Sequence, residues 1–237
     1  MFGHKTLALA TLGLVSTLTA GTASADHIIG WNMVGQQGIA LGAGDTAGAP
    51  GWEQANWNNH SSSGQGPGSV PLNDLVNSAG GATDVDVVSW SQSTNNSWSY
   101  FESATPDQTL LADFADTDPV ITFANVNDHA ADGYTVIVYY GNNEWNFNGG
   151  GTLDVNGSTQ TIASNDAFSA TGYVLNDGSN QSNYAVFTGI SGDTLTVSLD
   201  AAGNDGISAI QIVDIPEPGS LALLGLGGLL IVRRRRA

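Results

Sequence analysis

The stretch TLDVNGSTQTIA at residues 152–163 decides the fold class of this chain. Its two halves, 152–155 and 159–163, alternate apolar and polar residues in the pattern of half-buried strands. Between them lies Asn156-Gly157, a dipeptide that favours the type I′ turn of a two-residue β-hairpin. The stretch therefore predicts an antiparallel hairpin.

Six further segments have strand character, three before this hairpin and three after it. They are residues 85–90, 120–126, 134–140, 184–188, 195–199 and 207–213. Connections rich in Gly, Asn and Ser separate them, as turns between strands require. The spacing predicts a single all-β domain, an antiparallel β-sandwich or jelly roll with one or two short helices.

One helix is predicted where Thr105 stands as a cap residue ahead of Pro106 and an apolar run. We expect this helix to close one end of the sandwich, and residues 71–78 to supply a second short helical turn. Trp31 and Trp90 lie within strand-like stretches, so both are expected in the core.

The N-terminus has the features of a cleavable secretory signal. An apolar stretch at 7–18 precedes the small-residue pattern Ala23-Ser24-Ala25, so signal peptidase is expected to leave a mature chain that begins at Asp26. The alternative is an N-terminal membrane anchor. The stretch is short and interrupted by polar residues, which favours cleavage.

Three signals follow one another at the C-terminus. They are the tripeptide Pro216-Glu217-Pro218, an apolar run at 221–232, and the basic cluster Arg233, Arg234, Arg235 and Arg236. The prolines keep the junction extended. A helix over 219–232 would rise only ~21 Å, short of the roughly 30 Å hydrocarbon core, which favours transient insertion over an ordinary C-terminal membrane helix, the alternative. The arginines should stay cytoplasmic.

This order of signals resembles the PEP-CTERM tails that exosortases recognise. The resemblance implies export across the inner membrane, transient insertion there by the C-terminal segment, and processing by an exosortase. It implies a final location at the cell surface or in the extracellular matrix. It does not imply any catalytic activity. We divide the chain into a signal peptide at 1–25, a β-sandwich domain at 26–214 and a sorting signal at 215–237.

The charge distribution limits the classes of molecule that the protein can bind. The net charge is −17, and all five basic side chains lie in the two end segments. Residues 26–215 therefore hold no lysine or arginine, while Glu217 is the only one of the 22 acidic residues outside that interval. Nucleic acid is excluded because nothing can neutralise its phosphates. Anionic polysaccharide is disfavoured unless calcium bridges the two surfaces, and adaptation to a saline habitat explains the acidity equally well.

A second resemblance covers most of the interior. Its motifs are IGWN at 29–32, ANWNN at 55–59, YTVIVYY at 134–140 and ISAIQIV at 207–213. The segment is similar to an exported β-sandwich domain that often carries PEP-CTERM tails and is related to galactose-binding-like jelly rolls. This resemblance implies carbohydrate binding, with exopolysaccharide as a partner, and fixes no ligand residue.

The candidate glycan-binding residues are Trp57 with Asn58 and Asn59, and Trp145 in a second asparagine-rich stretch. An aromatic face beside amide groups can stack on a sugar ring and bond its hydroxyls. The alternative is that the tryptophans pack into the sandwich while the asparagines make turns.

Calcium is a possible ligand, although no cofactor is required. Asp200, Asn204 and Asp205 place oxygen ligands in one loop, as calcium prefers, without matching an EF-hand. Solvated loop carboxylates are the alternative interpretation. The chain has no cysteine, which excludes disulfides and thiol chemistry.

The sequence offers little for catalysis. It contains no G-x-S-x-G, no H-E-x-x-H and no Gly-Lys phosphate loop, so we predict that the protein is not an enzyme. Three classes stay open at this point: a carbohydrate- or matrix-binding module, a structural matrix protein without a small ligand, and a glycoside hydrolase.

Overall fold

The computed structural model describes residues 28–35, 40–61, 71–91, 105–116, 118–142, 149–164, 172–179, 181–203 and 205–215. In chain order these residues form the strands β1 (Ile28–Val34), β2 (Asn58–Ser61), β3 (Asp86–Ser91), the helix α1 (Pro106–Ala112), β4 (Ala115–Asp116), β5 (Val120–Ala124), the helix α2 (Val126–His129), β6 (Tyr134–Asn142), β7 (Gly151–Val155), β8 (Ser158–Ser164), β9 (Gln181–Ser182), β10 (Tyr184–Ile190), β11 (Leu195–Ala201) and β12 (Asp205–Asp214).

The strands make two sheets. Sheet I has the order β10-β6-β12-β1-β2, with β4 paired to β12, and sheet II has the order β3-β5-β11-β7-β8-β9. Most pairs are antiparallel, so the predicted two-sheet β-sandwich is confirmed. The antiparallel prediction does not extend to every strand, because β1 pairs with β2 and β8 with β9 in parallel. Between β1 and β2 the chain makes the long connection that a parallel pair needs.

The main core lies between the facing surfaces of the two sheets. Trp31, Tyr140 and Ile210 enter it from sheet I, and Phe123 and Leu153 from sheet II. The alternating sequence pattern causes this, because successive side chains of a strand point to opposite faces of the sheet. The prediction that Trp31 and Trp90 are core residues is confirmed, since they are 0% and 3% exposed.

The hairpin that decided the fold class forms as predicted. β7 and β8 pair antiparallel with Val155 opposite Ser158, and Asn156 and Gly157 between them have φ of 50° and 85°. Both positive values are what a type I′ turn demands. The Asn156 side chain also accepts a hydrogen bond from Thr196 N at 2.8 Å, which joins the turn to β11.

Helix α1 begins where the cap was predicted. Gln108 N donates to Thr105 Oγ1 at 3.2 Å, and Pro106 occupies the first turn. The expected position was wrong: Leu110 and Leu111 pack on the outer face of sheet I and do not close an end of the sandwich. The helix lies there because that face is itself apolar.

Two sequence predictions of local structure need correction. Residues 71–78 form isolated β-bridges and turns in place of a helical turn. The strand predicted over 120–126 ends at Ala124, because Asn125 takes a left-handed conformation with φ 60° and Val126 begins α2. Asparagine tolerates that conformation better than other non-glycine residues, which is why the strand stops there.

A third layer covers the outer face of sheet I. It consists of residues 40–57 and α1, and we call it the cover layer. Its side chains pack on outward residues of β1, β6 and β12 in a second apolar cluster. Asp107 of α1 fastens the layer, since its Oδ1 accepts hydrogen bonds from Gly48 N at 3.0 Å and Tyr173 Oη at 2.9 Å.

Candidate functional site

Trp57 lies inside the second apolar cluster, beneath the cover layer. Its side chain is 4% exposed, its ring meets Tyr139 edge-on with centroids 6.2 Å apart, and its Nε1 donates to Gln54 O at 3.2 Å. Gly30 of β1 makes room for it, because a β-carbon at that residue would lie 2.6 Å from Trp57 Cε3. These contacts agree with the alternative in which the tryptophan packs into the domain. In this arrangement the ring has no open face on which a sugar could stack.

The two asparagines after Trp57 bond the backbone. Asn58 Nδ2 donates to Gly30 O at 2.9 Å and to Val76 O at 2.8 Å, while its Oδ1 accepts from Val76 N at 2.8 Å. Asn59 makes the equivalent pair of bonds to Leu41, with its Oδ1 accepting from N at 3.0 Å and its Nδ2 donating to O at 2.8 Å. Both amides therefore fix neighbouring chain segments to β2. Their predicted glycan contacts stay a prediction.

The fourth glycan candidate, Trp145, lies outside the described residues, as does Asn204 of the calcium candidate. The two remaining calcium candidates lie in different surroundings, and the predicted calcium site stays a prediction. Asp205 is fully buried and its Oδ2 accepts a hydrogen bond from Gly150 N, whereas Asp200 is exposed on the outer face of sheet II. Among the described ranges, no group of three or more His, Asp or Glu gathers at one point.

A buried polar network beside Trp57 was not recognised in the sequence. Tyr139 Oη donates to Gln211 Oε1 at 2.6 Å and accepts from Ala49 N at 2.9 Å. Gln211 Nε2 donates to Trp52 O at 2.7 Å and to Gln54 Oε1 at 2.9 Å. Burial raises the pKa of Tyr139 well above its ordinary value, against the opposing effect of the Ala49 hydrogen bond. The network joins the cover layer to the centre of sheet I.

The outer face of sheet II is a regular polar surface. Its strands alternate apolar side chains toward the core with hydroxyls and carboxylates toward solvent. We call this surface the hydroxyl face; it comprises Thr122, Thr152, Asp154, Thr159, Thr161, Thr196, Ser198 and Asp200.

Strand pairing orders these side chains in rows. Thr196 lies opposite Thr122, Thr152 lies opposite Thr161, and Asp200 continues the second row beside Thr152. Neighbouring strands are about 4.8 Å apart and successive outward residues about 6.8 Å apart along a strand. The sequence contained the signal for this face, namely threonine at alternate positions of adjacent strands. Only the strand order shows that these positions adjoin.

The C-terminal segment carries a likeness to known proteins. Within the described residues no helix is long and apolar enough to cross a membrane, and the segment after Ile215 lies outside them. Residues 214–236 match the model of the PEP-CTERM protein-sorting motif. No curated protein and no solved structure matches the chain significantly.

The PEP-CTERM motif confirms the sorting prediction. The chain is an exported protein whose C-terminal signal is recognised by an exosortase during passage through the membrane. The motif includes Pro216, Glu217 and Pro218 and the four arginines Arg233–Arg236 that the sequence analysis singled out. It says nothing of the activity of the sandwich, and the signal-peptide residues Ala23, Ser24 and Ala25 lie outside both the motif and the described residues.

Replacing Pro216, Glu217 and Pro218 together by alanine is expected to abolish processing. Prolines favour an extended junction that a protease can bind, whereas alanine favours a continuous helix. The measurement is the ratio of processed to unprocessed chain on an immunoblot of the exported protein. Pro50→Ala, an exposed proline outside the motif, is the control and should be processed normally. Normal processing of the triple variant would show that the enzyme does not read the tripeptide.

Proposed function

We propose that the exported sandwich is a non-catalytic module that binds carbohydrate at the cell surface or in the extracellular matrix. The observation that carries this proposal is the hydroxyl face on sheet II. It offers a regular array of hydrogen-bonding groups on a rigid support, and polysaccharides present hydroxyls at similar intervals. The likeness to galactose-binding-like jelly rolls, drawn from the sequence, supports the same function.

The residue types of the hydroxyl face suit this role. Threonine is β-branched, so its χ1 is already restricted in a strand, and binding costs little side-chain entropy. Asp154 and Asp200 lie among the hydroxyls, and the mature domain has no basic side chain with which to pair an acidic sugar. The face therefore suits a neutral glycan, or an anionic one bridged by calcium.

A structural matrix protein without a small ligand is the second candidate. The observation that favours it is the use of Trp57, Asn58 and Asn59 for internal packing and backbone bonding. If the residues that resemble a sugar-binding site stabilise the fold instead, the domain fits the role of a structural component of the matrix that binds no small ligand.

The test is binding of the processed, exported protein to a glycan array that includes the polysaccharide of the producing cell. Parallel arrays hold calcium or a chelator. We expect the variant T152V/T161V/T196V to bind at least about tenfold more weakly, because three hydroxyl hydrogen bonds contribute roughly 0.5–1.5 kcal/mol each. Valine keeps the shape and the strand propensity, so the melting temperature should hold.

Thr188→Val is the matched control, since this threonine is exposed on β10 of sheet I. It should bind like the unmodified protein. Equal binding by the triple variant would remove the hydroxyl face as the site. No binding by any form in either buffer would favour the structural role, and release of reducing sugar from the polysaccharide would favour the hydrolase.

A further inference from the structure

The two ends of the exported domain lie side by side. Ile28, the first described residue, is the antiparallel partner of Val213 in β12. Asp214, the last residue of β12, is paired on its other side with Tyr134, the first residue of β6. Both chain ends therefore leave the sandwich at one end. We call this end the terminal pole; it includes Ile28, Asp132, Tyr134, Asp214 and Ile215.

The chain between the terminal pole and the membrane-inserted run is short. The PEP-CTERM match begins at Asp214, which is still within β12, and only Ile215 separates the end of the strand from Pro216. Residues 215–220 are all that separates β12 from the apolar run at 221–232. Even fully extended, this tether spans no more than about 22 Å. An enzyme bound at the tripeptide must therefore work close to the folded pole.

Asp132 is the exposed side chain placed where such an enzyme would arrive. It precedes Tyr134 by two residues, on the chain segment that runs antiparallel to β12, so it lies beside the point where the tail leaves. Asp128 in α2 is also exposed on this side of the sandwich. Carboxylates are repelled by anionic lipid headgroups at a membrane surface. A protein with a basic surface is the better fit.

We propose that the terminal pole is a docking surface for the membrane-bound exosortase, so that the folded sandwich, and not the tail alone, is what the enzyme recognises. The pole meets the enzyme because the tether is too short to hold them apart, and the exposed carboxylates of the pole face complementary basic groups. After the cut the same pole becomes the free C-terminal end of the matrix protein.

The experiment uses the full chain in a host that carries the processing enzyme, with pulse-chase measurement of the processing rate. Asp132→Arg reverses a charge at the terminal pole, and Asp200→Arg makes the same change at an exposed position toward the other end of the sandwich. We expect Asp132→Arg to slow processing several-fold and Asp200→Arg to leave the rate unchanged.

A second arm separates docking from folding. A Gly/Ser linker of about 12 residues, inserted between Ile215 and Pro216, adds roughly 20 Å of reach and lets the enzyme avoid the pole. It should slow processing of the otherwise unmodified chain and remove the difference in rate between that chain and Asp132→Arg. The proposal is overturned if Asp132→Arg is processed at the unmodified rate, if Asp200→Arg slows processing equally, or if Asp132→Arg stays slower than the otherwise unmodified chain when both carry the linker. Failure of the glycan array leaves these results untouched, because the two readouts are independent.

Discussion

Trp57→Ala is expected to lower the free energy of unfolding by about 3–5 kcal/mol, the usual effect of removing a buried large aromatic side chain. The ring is 4% exposed, contacts Tyr139 and covers Gly30, so its loss leaves a cavity under the cover layer. The lost hydrogen bond to Gln54 O adds to the cost. Urea unfolding followed by far-UV circular dichroism measures the change, with the processed protein as the reference.

The control for this prediction is Trp52→Ala. Trp52 belongs to the same layer but is only partly buried, so its replacement should destabilise the protein less. The sugar-stacking hypothesis for Trp57 predicts the opposite pair of results: an unchanged unfolding free energy and a weakened affinity on the glycan array. The single variant therefore separates the packing alternative from the binding hypothesis.

Raising the pH above 10 is expected to unfold the domain cooperatively. Burial raises the pKa of Tyr139 and of Tyr140 above the ordinary value of 10.0, and raises the pKa of Tyr134 to about 12. In this range the unfolded chain loses phenolic protons that the folded chain keeps. The free energy of unfolding therefore falls as pH rises, by about 1.4 kcal/mol per pH unit for each buried tyrosine. The stabilising contribution of these buried tyrosines is fully present below pH 10.

The measurement is a titration from pH 9 to 12.5 that records tyrosinate absorbance and circular dichroism together. No lysine or arginine lies between residues 26 and 215, so the tyrosines dominate proton release there. Both signals should change in one steep step. Tyr140→Phe removes one buried phenol, and Ser182 Oγ can still donate to Ala163 O. This variant should show a shallower dependence of the unfolding free energy on pH. Gradual tyrosinate formation near pH 10 with unchanged circular dichroism would contradict the burial argument.

The local patterns of the sequence were reliable for the strands. All eight segments predicted as strands contain strands, and no predicted end differs from the observed end by more than two residues. The Asn156-Gly157 turn and the Thr105 cap are equally local, since each needs only a few neighbouring residues. Local hydrogen bonding and alternation are encoded within ten residues of chain, which is why these predictions succeed.

The candidate site was less predictable, because its members come from distant parts of the chain. Trp57 and its asparagines have the composition of a sugar site, yet Gly30, Leu41 and Val76 occupy their polar and apolar groups. No pattern near residue 57 reveals those partners. The hydroxyl face was hidden for a related reason, since its threonines lie on four strands whose order is set by long-range pairing.

The sequence by itself determined the route of this protein and its fold class. The sorting motif is a linear sequence signal, and alternation alone specifies strands with one buried face. Tertiary structure alone decided which aromatic rings are covered, which hydroxyls form one surface, and that both ends of the domain leave at one pole. Those properties depend on the strand order and on the cover layer over sheet I. A side chain is buried only where segments that are distant in the sequence pack against each other.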